Sequence, residues 1–306
     1  MTPRFDVLGL GVVAVDDLLY VEEYPPADAK IEVKRRDRQC GGLTATALVA
    51  AARLGSRCAY AGVLGDDDLS LFVIERLRGE GIDLSHLVKE EGASPVHSII
   101  VVDGRRNTRN IFYDVKGAVG AHPSRPEAEV IRSARILFVD HYGTEGMIRA
   151  ARIARDAGIP VVADIENDAV PRFQDLLGLV DHLIVSREFA ARLTGTTDGA
   201  GAARALCQGG REAAVVTAGL EGSWYVTRED PDHPVHQPAF PVEAVDTTGC
   251  GDVFHGAYAS ALARGAGMRE RVRFAAAAAA IKATSPGGQQ GIPTRSAVES
   301  FLEDRG

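Results

Sequence analysis

The stretch DTTGCGDVFHGAYASALARG, Asp246 to Gly265, sets small residues and a carboxylate directly in front of an apolar-periodic run. Gly249, Cys250 and Gly251 come first, and Asp252 follows. A helix start leaves unpaired backbone N–H groups and a partial positive charge, so it attracts anions. Glycines remove the side chains that would hold a phosphate away from those amides. A carboxylate beside a pocket built for negative charge suits proton transfer. The same residues also read as a turn followed by a helix cap.

Three further glycine clusters punctuate the chain. In CGGLTATALVAAARLG, Gly41 and Gly42 open a helix where Thr44 or Thr46 can offer hydroxyls. In VVTAGLEGSWYV, a buried strand ends at Thr217, and Gly219 and Gly222 form a tight connection to the next strand. Ligands of open α/β sheets bind at such carboxyl ends of strands. In KATSPGGQQGIP, Gly287, Gly288 and Gly291 predict an irregular loop whose carbonyls can face an ion. Asp16 closes GVVAVD, where a carboxylate either caps a strand end or accepts hydrogen bonds from sugar hydroxyls. Arg109 is either a solvated arginine or one that reaches a phosphate.

The elements that must position these residues follow from periodicity. FDVLGLGVV, CAYAGVLG, ILFVD, IPVVADIE, HLIVS and EAAVVTAG are continuous apolar runs of the kind buried on both faces of a parallel sheet. Helical runs separate them: TATALVAAARL ending at Gly55, LSLFVIERLRGEG, and a segment from about Thr144 to Ala157. This is a repeated βαβ pattern. Two segments break it. DLLYVEEYPPADAKIEVKRR and VHSIIVVDGRRNTRNIFYDV alternate as strand pairs, the second around an Asp103–Gly104 turn. Together they predict one small sheet projecting from the main sheet and able to cover a site. The alanine run Ala275 to Ala280 predicts a closely packed helix.

Composition sets the outer bounds. The chain has 306 residues, 45% hydrophobic and 25% charged, which is ordinary for a globular α/β protein with a large core. Its net charge of −8 argues against general nucleic-acid binding, so any positive field for a phosphate must be local. The four cysteines form no CxxC pair and suggest neither a zinc site nor a disulfide framework. No apolar stretch reaches membrane-spanning length, and the amino-terminal run is broken by Asp16 and Asp17. A reducing cytoplasm is the expected compartment.

DTTGCGDVFHGA resembles the second signature of the PfkB, or ribokinase-like, sugar kinase family, usually Asp-Thr-x-Gly-Ala-Gly-Asp. CGG followed by small residues and ending AAARLG resembles its first signature, and the resemblance covers essentially the whole chain. Within the family, VDTTGCGDVFHGA and KATSPGGQQGIP are similar to sulfofructose kinases, and VEEYPPADAKI and VSREFAARLTG to ketohexokinase and fructokinase-like members. The resemblance implies a three-layer α/β sandwich with a mainly parallel central sheet and a small β-sheet lid. One domain would span 1–306, with the lid formed by about 12–38 and 96–116. It implies an ATP-dependent kinase acting on a primary hydroxyl of a small sugar, with a fructose-like ketose expected. A nucleoside kinase of the same family and a catalytically silent binding protein are the alternatives.

The resemblance also assigns positions. Asp252 would be the base, and Gly249, Cys250 and Gly251 the anion hole. Asp16, Gly41, Gly42 and Thr46 would hold the sugar, with Arg109 and Lys30 contributed by the lid and Lys30 a partner for an anionic group. Ser186, Thr217, Gly219, Gly222 and Gly251 would lie along the nucleotide. Asp246, Thr248 and Thr284 would hold a monovalent cation such as K+, and Glu188 would serve Mg2+. A homodimer through the lid sheet is expected, because IIVV and IFY would leave an apolar face needing cover. The chain departs from the family at Thr46, where Asn is usual, and at Ser186 to Phe189, where Asn-x-x-Glu is usual. Leu43 replaces an Asn of ketohexokinase, and Tyr113 and Tyr142 replace sulfonate contacts of sulfofructose kinase.

Overall fold

Strands that are apolar at every position can be stable only where helices cover both faces of a sheet. The computed structural model, which describes residues 3–106 and 108–305, arranges them in that way. In chain order, β1 (Phe5–Leu10), β2 (Ala14–Val21) and β3 (Arg35–Gly41) precede α1 (Leu43–Arg53). Then come β4 (Cys58–Tyr60), β5 (Val63–Leu64), α2 (Asp68–Gly79), β6 (Val88–Lys89), β7 (Val96–Asp103) and β8 (Thr108–Asp114). The middle alternates α3 (Ala128–Arg132), β9 (Ala134–Val139), α4 (Thr144–Asp156), β10 (Val161–Asp164), α5 (Phe173–Leu177) and β11 (His182–Ser186). It continues through α6 (Arg187–Thr194), α7 (Gly199–Leu206) and β12 (Ala213–Thr217). The last elements are β13 (Ser223–Thr227), β14 (Asp230–Gln237), α8 (Cys250–Ala263), α9 (Met268–Ala283) and α10 (Arg295–Glu303).

The large sheet has the order β14-β13-β12-β11-β10-β9-β1-β4. From β4 to β12 all neighbours are parallel, and β13 and β14 add antiparallel edges. One face packs against α1, α8 and α9 through residues such as Leu48, Val253, Tyr258 and Ala275. The other packs against α4 and α7 through residues such as Met147, Ala150 and Ala203. The result is the expected three-layer sandwich. Among the described residues no helix is long and apolar enough to cross a membrane, and the four cysteines are free.

The small sheet has the order β3-β2-β7-β8. Its two antiparallel pairs are joined by the parallel pair β2/β7, with Asp16 opposite both Gln39 and Ser98. β3 continues to Gly41, past the expected edge near 38, so the small sheet passes directly into α1. β8 is exposed along its whole length, including Phe112 and Tyr113. One expected strand is divided. CAYAGVLG enters the large sheet only as β4, and β5 pairs with β6 in a separate two-stranded sheet. The chain leaves the large sheet at Ala61–Gly62, where the Val63 amide donates to Gly120 O at 2.9 Å.

Helices α1, α8 and α9 approach closely because alanine and glycine line their contacts. A Cβ on Gly256 of α8 would lie 2.1 Å from the Ala47 carbonyl oxygen of α1, a backbone atom that cannot swing aside. An isolated helix gains about 1 kcal/mol from Gly→Ala. Here the sign reverses. Gly256→Ala should cost about 2–3 kcal/mol net through overpacking and lower the thermal midpoint by about 3–6 °C. An unchanged or raised midpoint in a calorimetric scan would show that the two helices separate freely.

Candidate active site

The parallel strands β1, β9, β10, β11 and β12 deliver Gly11, Asp140, Asp164, Ser186 and Thr217 to one edge of the sheet. Helix α8 starts at this edge. Its N-cap, Gly249, has φ 74°, and no side chain caps it. A side chain there would be strained and would also collide, because a Cβ would sit 2.7 Å from Gly288 O. At Gly251 a Cβ would meet nothing within 4 Å. Among the described residues the Gly251 and Asp252 amides find no backbone partner at the positive end of the helix.

Asp252 occupies the first turn of α8, partly exposed and hemmed in by other acids. Burial, then the nearby charges of Asp164 and Glu166, push its carboxyl well above the ordinary carboxylate value of 3.8. Asp164, fully enclosed at the end of β10, is raised in the same direction, by burial first and then by Glu166 and Asp140. The Asp164 and Asp252 carboxyls are close enough to share a proton. His255, one turn along α8, braces this pair. It is 5% exposed, its Nδ1 lies 2.7 Å from Gly251 O, and its Nε2 lies 3.0 Å from Ile184 O. Both ring nitrogens face backbone oxygen acceptors. Nδ1 is also 3.3 Å from Asp164 Oδ2. That contact lacks the alignment of a hydrogen bond, and among the described residues Asp164 Oδ2 has no hydrogen-bond partner.

On the small-sheet side, burial raises the Asp16 carboxyl, opposed first by a hydrogen bond from Ser98. Gly41 lies against Asp16, since a Cβ there would be 2.5 Å from Oδ2. Gly42 is the N-cap of α1. Asp140 ties the same corner together. It accepts from Val12 N at 2.7 Å, Thr44 Oγ1 at 2.8 Å and Tyr142 N at 2.8 Å. Burial pushes Asp140 up to about 7, against those three bonds. The buried Thr46 hydroxyl accepts from Gln289 Nε2 at 3.1 Å. Arg109, on β8, reaches across to donate to Thr248 Oγ1 at 2.8 Å and lies 4.0 Å from Asp246 Oδ1. Lys30 is not gathered into this cluster. It is exposed on the β2–β3 connection and has no ion pair among the described residues.

Ser186 caps α6 by accepting from Phe189 N at 3.2 Å, and the exposed Glu188 sits in that helix's first turn. Thr217 ends β12, and Gly219 (φ 55°) and Gly222 (φ 95°) bound a short 3-10 turn beyond it. Asp246 accepts from Thr248 N and Gly287 N, each at 2.8 Å. Thr284 is exposed at the end of α9, and its hydroxyl donates to Ile281 O at 2.7 Å. The side chain of Lys282 is fully buried and donates to Asp246 O at 2.8 Å. Its ammonium is lowered by burial, with Cys250 and Asp246 acting in the opposite direction.

Sequence reasoning missed Asp164, Glu166, His255, Asp140 and Lys282. Three of these carried a legible signal. Asp164 and Glu166 end an apolar strand in VVADIE, and Asp140 ends one in ILFVD, as Asp16 does in GVVAVD. The other two, His255 and Lys282, stand in apolar or alanine-rich surroundings and reveal themselves only through what packs against them.

A family model described as pfkB family carbohydrate kinase matches residues 8–295. A ribokinase of Haemophilus influenzae is 29% identical, over 96% of this chain and 97% of its own length. A probable fructokinase of Arabidopsis thaliana is 30% identical, over 87% of this chain and 83% of its own length. Among solved structures, that of Arabidopsis thaliana ribokinase complexed with ribose and ATP superposes with a TM-score of 0.86. It is 25% identical, with 99% of each chain covered.

Proposed function

The chain belongs to the pfkB family of carbohydrate kinases, and on that premise we propose that it transfers the γ-phosphoryl group of ATP to a primary hydroxyl of a small furanose sugar, a fructose-like ketose first. One observation carries the reading. Asp252 stands in the first turn of a helix where the Gly251 and Asp252 amides have no backbone partner among the described residues, and an arginine from the small sheet touches the loop that leads into that turn.

Each group then has work that its position suits. Asp16, Gly41 and Gly42 hold the sugar against the core, with Thr46 behind them. The small sheet acts as a lid that excludes water, with Arg109 carrying positive charge to the phosphates and Lys30 at its outer margin. Asp252 accepts the proton of the attacking hydroxyl as its oxygen bonds to the γ-phosphorus and the bond from that phosphorus to the β–γ bridging oxygen breaks, releasing ADP. The free amides of Gly251 and Asp252, placed by the turn at Gly249, take the charge on the transferring phosphoryl oxygens, whereas the Cys250 amide, expected in the same anion hole, already donates to Thr247 O at 3.2 Å. The nucleotide runs along Ser186, Thr217, Gly219 and Gly222. Phosphoryl transfer asks for little covalent chemistry, so positioning and charge stabilisation supply most of the rate.

The acids at the strand ends suit magnesium. Among the described residues one buried carboxylate oxygen of Asp164 has no hydrogen-bond partner, and the exposed Glu166 and Glu188 follow neighbouring strands. Among the described residues no three acids, histidines or cysteines form a ready metal cluster. A donor set of that kind completes the ion's shell with phosphates and water. When bound, Mg2+ neutralises charge on the phosphates. The chain's own part is to offer Asp164 and Glu188 and to keep Asp252 as the base.

The fructokinase and ribokinase relatives support a furanose acceptor. The test is ADP release with fructose, ribose, an anionic ketose and a nucleoside, compared by kcat/KM. A preference for fructose or its anionic analogue is the expected result. A preference for ribose would move the reading to pentoses, and a preference for the nucleoside would overturn the sugar. No ADP release with any acceptor would leave a binding protein.

A further inference from the structure

Lysine is a costly residue to enclose, because its ammonium must give up water. Lys282 is enclosed completely, in the last turn of α9, at 0% exposure. Its Nζ donates to the Asp246 carbonyl at 2.8 Å. This is the place where the sequence resemblance implies a monovalent cation, and an ammonium of the chain itself already stands on one of its oxygens. Both Asp246 carboxylate oxygens accept backbone N–H bonds, from Thr248 and Gly287. The Asp246 carbonyl is taken by the ammonium, and the Thr284 hydroxyl donates to Ile281 O and sits on an exposed residue.

We infer that the Lys282 ammonium is a built-in monovalent cation that holds the 246–249 turn in place, so that turnover needs no added potassium. The turn is gripped from two sides. Asp246 N and Val245 N bond to Ala283 O on the helix that carries Lys282, and Gly287 N bonds to the Asp246 carboxylate. Gly249 then packs directly on Gly288. A cation at Asp246 therefore sets the position of the first amides of α8, and it adds positive charge near the phosphoryl site. An ammonium tethered by its own side chain is present at an effective concentration that no dissolved ion must match. Lys282 acts through Asp246 and Gly249 and is a positioning residue. The inference rests on the kinase reading of α8, so its test includes a measurement that needs no sugar.

In buffers of equal ionic strength, which screen surface charge equally, wild-type activity and melting temperature are compared in potassium, ammonium and choline chloride. The expected kcat is the same within about two-fold across the salts, with no potassium-specific shift in melting temperature. Lys282→Met keeps the bulk and removes the charge. It should lose kcat by about ten-fold or more with little change in sugar KM. Lys282→Ala opens room at Asp246 and should acquire a response to potassium or ammonium, in kcat and in melting temperature. Potassium activation of the wild type by about five-fold or more would overturn the inference, as would wild-type kcat in the Met variant. If the Ala variant does not fold, the wild-type salt comparison and the Met variant decide. If no sugar is turned over at all, the function reading fails. The melting temperatures still decide, because a potassium-specific rise in the wild type would show a free-ion site.

Discussion

Asp252→Asn is expected to lower kcat by at least ~10²-fold while ATP still binds. Asn keeps the shape of the side chain and can still donate to Asp164, so the first turn of α8 should hold its geometry. What disappears is the acceptor for the hydroxyl proton. Nucleotide affinity, read by calorimetry, should stay near the wild-type value because the amides and the strand-end residues are unaltered. Near-normal kcat on the true acceptor would remove Asp252 from the mechanism. The same group sets the acid limb of the pH profile. Asp252 must be ionised to accept a proton, and its carboxyl is raised above 3.8 by burial and by Asp164 and Glu166. Activity should therefore fade, as pH drops, well above the ordinary carboxylate value. Asp164→Asn removes a neighbouring negative charge and should move that limb to lower pH. A limb that stays where it was would mean that another group titrates.

The second large effect is expected at Gly249. Gly249→Ala forces a side chain into the left-handed region, at a cost of about 1–2 kcal/mol. It also drives a methyl to 2.7 Å from the Gly288 carbonyl oxygen, so the turn must shift. Moving the first amides of α8 off the phosphoryl oxygens should lower kcat by about 10²-fold, the usual effect of losing one such donor. Gly251→Ala separates strain from access. Its Cβ would meet nothing within 4 Å and its backbone is ordinary helix, so stability should be kept or rise by up to about 1 kcal/mol. The added methyl nevertheless enters the space a phosphate would use, and KM for ATP should rise. If Gly249→Ala retains kcat within about three-fold of wild type, these amides do not carry the transition-state charge.

Local chemistry was legible in the residues alone. The glycines and acid at 249–252 announce a bare helix start, because capping depends on a few adjacent residues. The apolar runs ILFVD and HLIVS announce strands covered on both faces, because burial on both sides leaves no polar alternation. The segments 17–36 and 96–115 announce a separate sheet for the opposite reason, since they alternate. The tertiary structure alone decided what those elements bring together. Asp164 meets Asp252 only because β10 ends beside the start of α8. Arg109 reaches Thr248 only because β2 and β7 pair in parallel and carry β8 toward the core. CAYAGVLG divides because Gly120 offers Val63 a partner outside the large sheet. Lys282 looked like one more residue of an alanine-rich helix, and its burial against Asp246 is a property of two segments packed together. Periodicity and capping are short-range properties that a single segment carries. Register, enclosure and the shift of a carboxyl's proton affinity arise from distant segments meeting, and no one of those segments contains them.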